Sequence, residues 1–386
     1  FPLLFLLAVR CIKNPTKNTL ILSSLILSLL PLTHNVSALL FFPLFLFFFY
    51  TILFFSKKNI KEYTIRFLLP VVLLGLGLSS YFLLPAIFEK KYILLSQIKL
   101  SDLTRNFLTL SDYISSPWSY GIRPSFQLGW EVVLAFCIGL VSISLHKKVR
   151  EKYRFLILFF CISVSLLVFL THKISYGFWV IPPLSFLDFP WRILTPLSFL
   201  VAFSTLLLSF RKITRVLGAI LIFVAVVHNL SYAKPEDRFL RPDDYYATND
   251  ATTTSLDELM PIWVQDKPRN RYENKIEVIT GEAVISNVFS YSNRLEFQIF
   301  SRTPGIIQIN TIYFPGWKFF LDEEEIPITY DNPKGLIQLT IKEGNHRLKG
   351  KFTETPIRVL GNMMTIVSGM LILGLLVSSL RKSKKP

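Results

Sequence analysis

The sequence has few cysteines, and their positions exclude two kinds of site. Only three occur, Cys11, Cys137 and Cys161, and none belongs to a CxxC pair. A disulfide framework needs paired cysteines and a structural zinc site needs clustered ligands, so neither is indicated. We expect all three to be buried or lipid-facing thiols.

Familiar catalytic signatures are also lacking. The chain contains no P-loop, no GxGxxG, no GxSxG and no HExxH motif. Nucleotide hydrolysis, dinucleotide redox chemistry, serine hydrolysis and zinc-protease chemistry therefore have no sequence support. The five histidines lack the spacing of a metal site, so we predict no metal ligands, and a requirement for a divalent metal stays open.

Charge is scarce within the long apolar runs. The composition is 51% hydrophobic and 15% aromatic, with 35 phenylalanines. Runs of about 20 apolar residues are long enough to cross a bilayer. The predicted spans are 1–9, 19–33, 36–55, 67–88, 130–145, 155–171, 192–210, 216–231 and 357–380. The chain opens at Phe1 inside an apolar run, so we expect an N-terminal portion to precede the first, incomplete span.

The distribution of positive charge predicts the orientation of these spans. The net charge is +16, but it lies in short blocks between apolar runs, which argues against a nucleic-acid-binding face. If the basic C-terminal tail is cytoplasmic, 19 of the 42 lysines and arginines lie in five short inside segments: 10–18, 56–66, 146–154, 211–215 and 381–386. The positive-inside rule then places 89–129, 172–191 and 234–355 outside the cytoplasm.

The hydrophobic period changes from helical to two after residue 275. Leu295, Phe297 and Ile299 alternate with polar residues, and a similar alternation recurs at 337–341. Such alternation, punctuated by turn residues, is typical of half-buried antiparallel strands, and we expect roughly six of them. The predicted domains are a transmembrane bundle of about eight spans over 1–233, a β-rich domain over 234–355, and a final helix with a basic tail over 356–386. The fold class is therefore a polytopic α-helical membrane protein with a C-terminal, extracytoplasmic, antiparallel β-sandwich-like domain before the last transmembrane helix.

Cations gather at the predicted outer ends of the spans. They suit a phosphate or diphosphate whose lipid tail stays in the bilayer, because the headgroup level is where an anchored anion lies. The alternative is that they are snorkelling anchors that fix the depth of the helices. The candidates for binding a lipid phosphate are Lys90, Lys91, Arg123 and Arg192.

Carboxylates and aromatic side chains in the same outer segments supply further candidates. A carboxylate could act as a general base for an acceptor hydroxyl, and Glu89, Asp102, Asp112 and Asp188 are available. The segment 313–318 could be a platform on which a sugar ring stacks, or a β-turn with an aromatic core plug. Trp191, Trp263 and Trp317 are the candidate contacts to a glycan or acceptor.

Several segments together resemble a family of bacterial membrane proteins. They are Thr-His-Asn at 33–35, Tyr-Phe-Leu-Leu-Pro-Ala at 81–86 leading to Glu-Lys-Lys-Tyr at 89–92, Phe-Pro-Trp-Arg at 189–192, Asp-Glu-Leu-Met-Pro-Ile-Trp-Val at 257–264, and the segments 313–318, 335–336, 344–346 and 355–358. These resemble the GT-C glycosyltransferase superfamily, in particular the "6-pyruvoyl-tetrahydropterin synthase-related" membrane proteins and, more distantly, the YfhO-like proteins. The label does not imply pterin chemistry.

The resemblance implies a GT-C-like bundle in a bacterial plasma membrane that takes a sugar from a polyprenyl-phosphate carrier. Membrane lipids, the lipid-linked sugar donor and a glycan or envelope acceptor are the implied partners, and no other cofactor is predicted. In GT-C enzymes the catalytic carboxylate normally follows the first span, which places it upstream of Phe1 and leaves Glu89, Asp112 and Asp188 as weak candidates. A non-catalytic scaffold or glycan-binding subunit is the alternative. A transporter is disfavoured because the spans contain almost no ionisable residues.

Overall fold

The computed structural model describes residues 1–114, 127–145, 147–233, 240–243, 257–267 and 272–383. Within them the chain forms fourteen α-helices, and eight strands lie between the last two of these helices. The helices are α1 (Pro2–Lys13), α2 (Lys17–Thr33), α3 (Asn35–Phe55), α4 (Ile60–Tyr63), α5 (Leu69–Leu78), α6 (Ser80–Phe88), α7 (Leu110–Ile114), α8 (Trp130–Ser144), α9 (Lys147–Lys152), α10 (Arg154–Thr171), α11 (Tyr176–Trp179), α12 (Leu194–Ser204), α13 (Lys212–Asn229) and α14 (Pro356–Ser383).

Five helical segments in the described residues are long and apolar enough to cross a membrane. They are Asn35–Phe55, Arg154–Thr171, Pro190–Ser209, Lys212–Asn229 and Pro356–Arg381, and Ile60–Leu78 with Ser80–Tyr92 makes a sixth if that pair is one broken span. The helices predicted at 36–55, 155–171, 192–210, 216–231 and 357–380 are thereby confirmed. The segments predicted at 19–33 and 130–145 form shorter apolar helices, Lys17–Thr33 and Trp130–Ser144.

The span predicted over 67–88 is interrupted at Ser79, and it is a single span only if the two helices on either side of this break are counted together. Helix α5 ends at Leu78 and α6 begins at Ser80. The hydroxyl of Ser79 donates back to the carbonyls of Gly75 at 3.2 Å and Leu76 at 3.1 Å. Serine side chains that bond to the preceding turn bend helices, and glycine in that turn weakens it further, so the chain breaks here.

The chain divides into two compact units. The helical unit comprises Phe1–Ser79, Ser101–Phe239 and Thr365–Pro386, and the β unit comprises Ser80–Leu100 and Leu240–Met364. Residues 80–100, which follow the break at Ser79, thus belong with the β-rich domain. Helix α14 contributes its first turns to the β unit and the rest to the helical unit.

Phenylalanine rings fill the core of the helical unit. The Phe5 ring lies 4.6 Å from that of Phe48, which lies 5.0 Å from Phe159, and all three are buried. Aromatic rings meeting at tilted or edge-on angles bury large apolar areas and attract each other beyond that burial. This packing explains why apolar helices here carry so many phenylalanines: the rings join α1, α3 and α10.

The strands of the β unit form two antiparallel sheets. They are β1 (Ile276–Thr280), β2 (Ala283–Ser290), β3 (Arg294–Ser301), β4 (Gly305–Ile312), β5 (Trp317–Leu321), β6 (Glu324–Ile326), β7 (Leu336–Ile341) and β8 (Gly344–Phe352). The strand orders are β1-β4-β7 and β2-β3-β8-β5-β6. Buried residues from both sheets, such as Phe297 and Leu339, belong to one core, as in a β-sandwich.

The predicted alternation is confirmed, whereas the expected count of about six strands was too low. Leu295, Phe297 and Ile299 are all at most 2% exposed, and their polar neighbours face outward. The three-residue strand β6 is one that the sequence pattern missed. Asp322 and Glu323 connect it to β5 with φ of 49° and 73°, the left-handed pair that a two-residue hairpin turn requires.

Candidate functional site

Glu89, directly after α6, is a buried carboxylate with both oxygens engaged. Its Oε1 accepts from Thr355 Oγ1 at 2.5 Å, and its Oε2 accepts from Arg358 Nε at 3.0 Å and Nη2 at 2.7 Å. The side chains of Glu89 and Arg358 are 9% and 17% exposed. A carboxylate at this depth is tolerated because a guanidinium and a hydroxyl replace its water.

Aromatic rings cover the guanidinium of Arg358. It lies 4.9 Å from the centroid of Phe352 and 5.9 Å from that of Phe314. Cations are attracted to the faces of aromatic rings, most strongly where water is excluded. Phe352 ends β8, so these contacts fix the first turn of α14 against the strand that precedes it.

The segment that follows Glu89 is hydrogen-bonded to the segment 258–262. Leu94 N donates to Met260 O at 2.9 Å, and Ile262 N donates to Tyr92 O at 3.0 Å. These bonds satisfy backbone N–H and C=O groups of two segments that belong to no long helix or sheet. It holds Tyr92 beside Trp263.

Tyr92 and Trp263 belong to a cluster of five aromatic residues, which also contains Tyr313, Phe314 and Tyr330. Tyr92 lies 6.3 Å from Trp263 and 6.0 Å from Phe314, and Tyr313 stacks on Tyr330 at 4.2 Å. Burial, with the neighbouring Tyr330 and Tyr92, raises the pKa of Tyr313, so its hydroxyl remains a hydrogen-bond donor. We call these five residues with Glu89, Lys90, Lys91 and Arg358 the Glu89 site.

Trp263 carries a polar atom that the described residues leave unsatisfied. Its Nε1 is buried and finds no hydrogen-bond acceptor among them. A buried N–H without an acceptor costs free energy, and here the surrounding protein encloses it.

Two of the predicted phosphate-binding cations lie beside this cluster. Lys90 and Lys91 form a 3₁₀ turn with Tyr92, and Lys91 Nζ lies 5.1 Å from the centroid of the Tyr92 ring. Lys90 is half-buried and Lys91 is exposed. The structure thus brings Glu89, Lys90, Lys91 and Trp263 together, as neighbours of one aromatic cluster.

Trp317 lies near the Glu89 site, separated from Arg358 by the ring of Phe352. It packs 5.7 Å from Phe319 and 5.5 Å from Phe352, the ring that covers Arg358. On its other side is a cavity of about 90 Å³ that Lys275 also lines. Burial lowers the pKa of Lys275, whose Nζ donates to Thr311 Oγ1 at 2.6 Å. The cavity is far below the several hundred Å³ of a typical small-molecule site.

The candidates in 188–192 lie together in the helical unit. Arg192 Nη1 donates to Leu187 O at 2.9 Å, and its guanidinium lies 4.8 Å from the centroid of Phe189 and 6.0 Å from that of Trp191. Asp188 has a φ of 55°, and its charge interacts with Arg192. Arg192 is therefore held by contacts within its own segment. Such contacts are expected both for a phosphate-binding residue and for an anchor at the membrane interface.

The two remaining predicted carboxylates satisfy nearby backbone groups. Asp112 Oδ2 accepts from the N–H and the hydroxyl of Thr109, both at 2.8 Å. Asp102 Oδ1 accepts from the hydroxyl of Thr104 at 2.8 Å and from its N–H at 2.9 Å, and these bonds lower the pKa of Asp102. Arg123 lies outside the described residues.

Sequence reasoning missed two buried polar contacts. One is the contact of Arg358 with Glu89, which is 269 residues away. The sequence did offer a signal for it, because Arg358 lies at the start of one apolar run and Glu89 at the end of another. The other is Glu131, which is 1% exposed, pairs with His228, and has an Oε2 without a partner among the described residues. Among these residues no three His, Cys, Asp or Glu side chains are arranged to hold a metal ion.

Comparison with known proteins adds no relative. No family model, no curated protein and no solved structure matches this chain. Its class rests on its own residues: it is a protein with membrane-length apolar helices and a C-terminal β-sandwich-like domain.

Proposed function

We propose that this chain is a membrane glycosyltransferase that takes a sugar from a polyprenyl-phosphate carrier and transfers it to an acceptor outside the cytoplasm. The observation that carries the proposal is the juxtaposition of Lys90 and Lys91 with the cluster around Tyr92 and Trp263. A lipid-linked sugar presents an anionic phosphate and a sugar ring with an apolar face. The lysines suit the phosphate, and the aromatic rings suit the sugar.

The phosphate of such a donor would pair with the two lysines. Phosphate oxygens accept charge-assisted hydrogen bonds from ammonium groups, and these are about twice as strong as neutral ones. Both lysines directly follow the apolar run that ends with α6, and the end of a membrane span is where a side chain would reach a lipid phosphate.

The sugar would stack on the aromatic rings. Pyranose rings present apolar C–H surface to aromatic faces, and the side chain of Trp263 is partly exposed. In this arrangement Trp263 selects the sugar and the lysines hold the carrier.

A non-catalytic glycan-binding or scaffold subunit of envelope polysaccharide assembly is the second candidate. It is favoured by the engagement of both oxygens of Glu89 with Arg358 and Thr355. A carboxylate held in this way is unsuited to remove a proton from an acceptor. Glu89 then positions the site rather than performing the chemistry.

Binding is tested with the purified full chain in nanodiscs and a polyprenyl-phosphate hexose, with bound donor counted by native mass spectrometry. Lys90→Ala/Lys91→Ala should weaken binding about 10- to 30-fold, because each cation near a lipid phosphate contributes roughly 1 kcal/mol. The control is Lys342→Ala/Lys351→Ala, which removes two exposed lysines of the β-domain. Equal losses in both variants would contradict the assignment of the site.

The sugar contact is tested with Trp263→Phe and Trp263→Ala. Trp263→Phe keeps a smaller ring for the sugar to stack on, so the sugar-bearing donor should bind somewhat less tightly, while polyprenyl phosphate without sugar should bind with wild-type affinity. Trp263→Ala should abolish the preference for the sugar-bearing donor.

Transfer itself is measured by incorporation of radiolabel from the donor in membranes that contain the protein. Transfer that persists in Glu89→Gln, and that falls by about 10- to 30-fold at low donor concentration in Lys90→Ala/Lys91→Ala, supports an enzyme in which Glu89 has a positioning role. Donor binding with no transfer for any common hexose would favour the scaffold subunit.

A further inference from the structure

A second cavity lies in the helical unit, among the segments that join α1 to α2 and α3 to α5. Its volume is about 520 Å³, within the range of sites for small ligands. It is called here the basic pocket, and it is lined by Pro15, Thr16, Lys17, Leu20, Lys57, Lys58, Asn59, Glu62, Tyr63, Arg66 and Phe67.

The rim of the basic pocket is strongly cationic. Lys17, Lys57, Lys58 and Arg66 line it, and Glu62 is the one acid in its lining. Glu62 is already paired with Arg66, whose Nη1 lies 2.7 Å from Glu62 Oε1. The remaining positive charge is therefore uncompensated within the pocket lining, and an anion would supply the compensation.

The floor of the pocket is apolar. Leu20 and Phe67 contribute to it, and Phe67 is 4% exposed. Tyr63 adds its ring, with its hydroxyl directed to Ile12 O at 3.4 Å. A cationic rim above an apolar floor matches an amphiphile whose charged group is a phosphate.

Lys57 occupies a backbone position that normally favours glycine. It follows the end of α3 with a φ of 52°, its N–H donates to Phe54 O at 3.2 Å, and Lys58 N donates to Leu53 O at 3.3 Å. This is the Schellman helix ending, in which glycine is the usual left-handed residue. A lysine here accepts backbone strain while placing its ammonium at the pocket.

The pocket lining contains a second irregularity. Thr64–Leu68 is a π-helical turn, and it carries Arg66 and Phe67. Single π-helical turns within α-helices are found frequently at functional sites, because they re-aim side chains at a small cost in backbone pairing. Two departures from regular helix thus converge on one cavity.

We propose that the basic pocket binds the phosphate group of an anionic lipid. The charge distribution of the sequence predicts that 10–18 and 56–66 face the cytoplasm, which is the side where anionic headgroups attract basic segments. This site is independent of the Glu89 site and of the proposed glycosyltransferase activity.

The test uses the full chain in nanodiscs of phosphatidylcholine into which phosphatidylglycerol is titrated, with retained lipid counted by native mass spectrometry. Lys57→Gly/Lys58→Ala should weaken retention of phosphatidylglycerol about 10- to 30-fold at low ionic strength. Glycine is the residue that this backbone prefers, so the variant is expected to fold at least as well as wild type.

The matched control is Lys147→Ala/Lys148→Ala, which removes two adjacent, exposed lysines from α9 on the same predicted side. It should change retention less than threefold. An equal loss in both variants, or no loss in Lys57→Gly/Lys58→Ala, overturns the proposal, because binding would then reflect general surface charge.

Inorganic phosphate distinguishes the two sources of the phosphate group. If millimolar phosphate displaces phosphatidylglycerol from wild type, the pocket recognises the phosphate alone, and a soluble phosphate ester is also a ligand. If phosphate does not compete, the apolar floor contributes and the ligand is the lipid. Both results support a phosphate site, provided that the control variant behaves as wild type.

Discussion

Arg358 donates two hydrogen bonds to a single oxygen of Glu89, from Nε at 3.0 Å and from Nη2 at 2.7 Å, although the two residues are 269 positions apart in the sequence. The pair joins the end of α6 to the first turn of α14. With Thr355 on the other oxygen, it links the two stretches of chain that make up the β unit, Ser80–Leu100 and Leu240–Met364.

Breaking this pair should destabilise the protein strongly. Arg358→Met leaves the Glu89 carboxylate buried without its cation, which typically costs about 3–5 kcal/mol. The matched variant Arg347→Met removes an exposed partner of Glu296 and should cost less than about 1 kcal/mol. The apparent melting temperature in detergent, followed by tryptophan fluorescence, should therefore fall much further for Arg358→Met.

Replacing both partners provides the control for that result. In Glu89→Leu/Arg358→Met no charge remains buried, and most of the lost stability should return. If the double variant is as unstable as Arg358→Met alone, the loss came from packing against Phe352 rather than from an unpaired carboxylate.

Gly361 is expected to tolerate no side chain. A Cβ there would lie 2.6 Å from Ser80 O and 3.2 Å from Ser80 C, and these are backbone atoms that cannot rotate away. Gly361→Ala should therefore destabilise by about 1–3 kcal/mol. Gly369→Ala, on the same helix with nothing within 4 Å of its Cβ, should be neutral or slightly stabilising. Similar melting temperatures for the two variants would contradict the close approach of Gly361 to Ser80.

The orientation predicted from charge can be measured by cysteine labelling. In a chain with its three cysteines replaced, Ser292→Cys in the β unit should react with a membrane-impermeant maleimide in intact cells. Lys148→Cys should react only after the cells are permeabilised, because basic loops remain in the cytoplasm. The reverse labelling pattern would invert the topology and remove the proposed donor site from the outer surface.

The hairpin at Asp322 should make stability depend on acid pH. Asp322 Oδ2 lies 2.5 Å from His346 Nδ1, its Oδ1 accepts from Arg347 N at 2.8 Å, and these bonds hold the pKa of Asp322 below its usual 3.8. A carboxyl whose pKa is lower in the folded state stabilises the fold fully above the unfolded value, and the effect is lost as the pH falls through the folded value.

Asp322→Asn isolates this contribution, because asparagine also accepts a left-handed φ. Its melting temperature should lie below that of wild type at pH 7, and the difference should shrink below about pH 4. The shift should be modest, since the side chain is half exposed and water screens the interaction. Asp331→Asn, at another exposed aspartate of the β unit, controls for loss of one charge; a difference that stays constant with pH would contradict the argument.

Local patterns in the sequence predicted much of the fold. Runs of apolar residues placed the helices at 36–55, 155–171 and 357–380, because a length of apolar chain is enough to define a membrane-length helix. The alternation at 295–299 placed β3, because side chains of a strand alternate between its faces. The break at Ser79 could not be predicted in this way, since hydropathy does not register a hydroxyl bonded to its own helix.

The candidate site was predictable only in part. Glu89, Lys90 and Lys91 were identified because charge stands out at the end of an apolar run. Neither the engagement of Glu89 by Arg358 nor the position of Trp263 beside Tyr92 follows from spacing, because those contacts join distant segments. The basic pocket likewise needed the folded chain to bring residues 15–20 and 57–67 together.

The sequence by itself determined which segments are apolar helices, which are strands, and where the positive charge lies, because each of these depends on residues within one turn or one strand of each other. Only the tertiary structure decided which charges neutralise one another and which remain open to a ligand. Those outcomes depend on burial and on distances between atoms far apart in the chain, as Glu89 and Arg358 show.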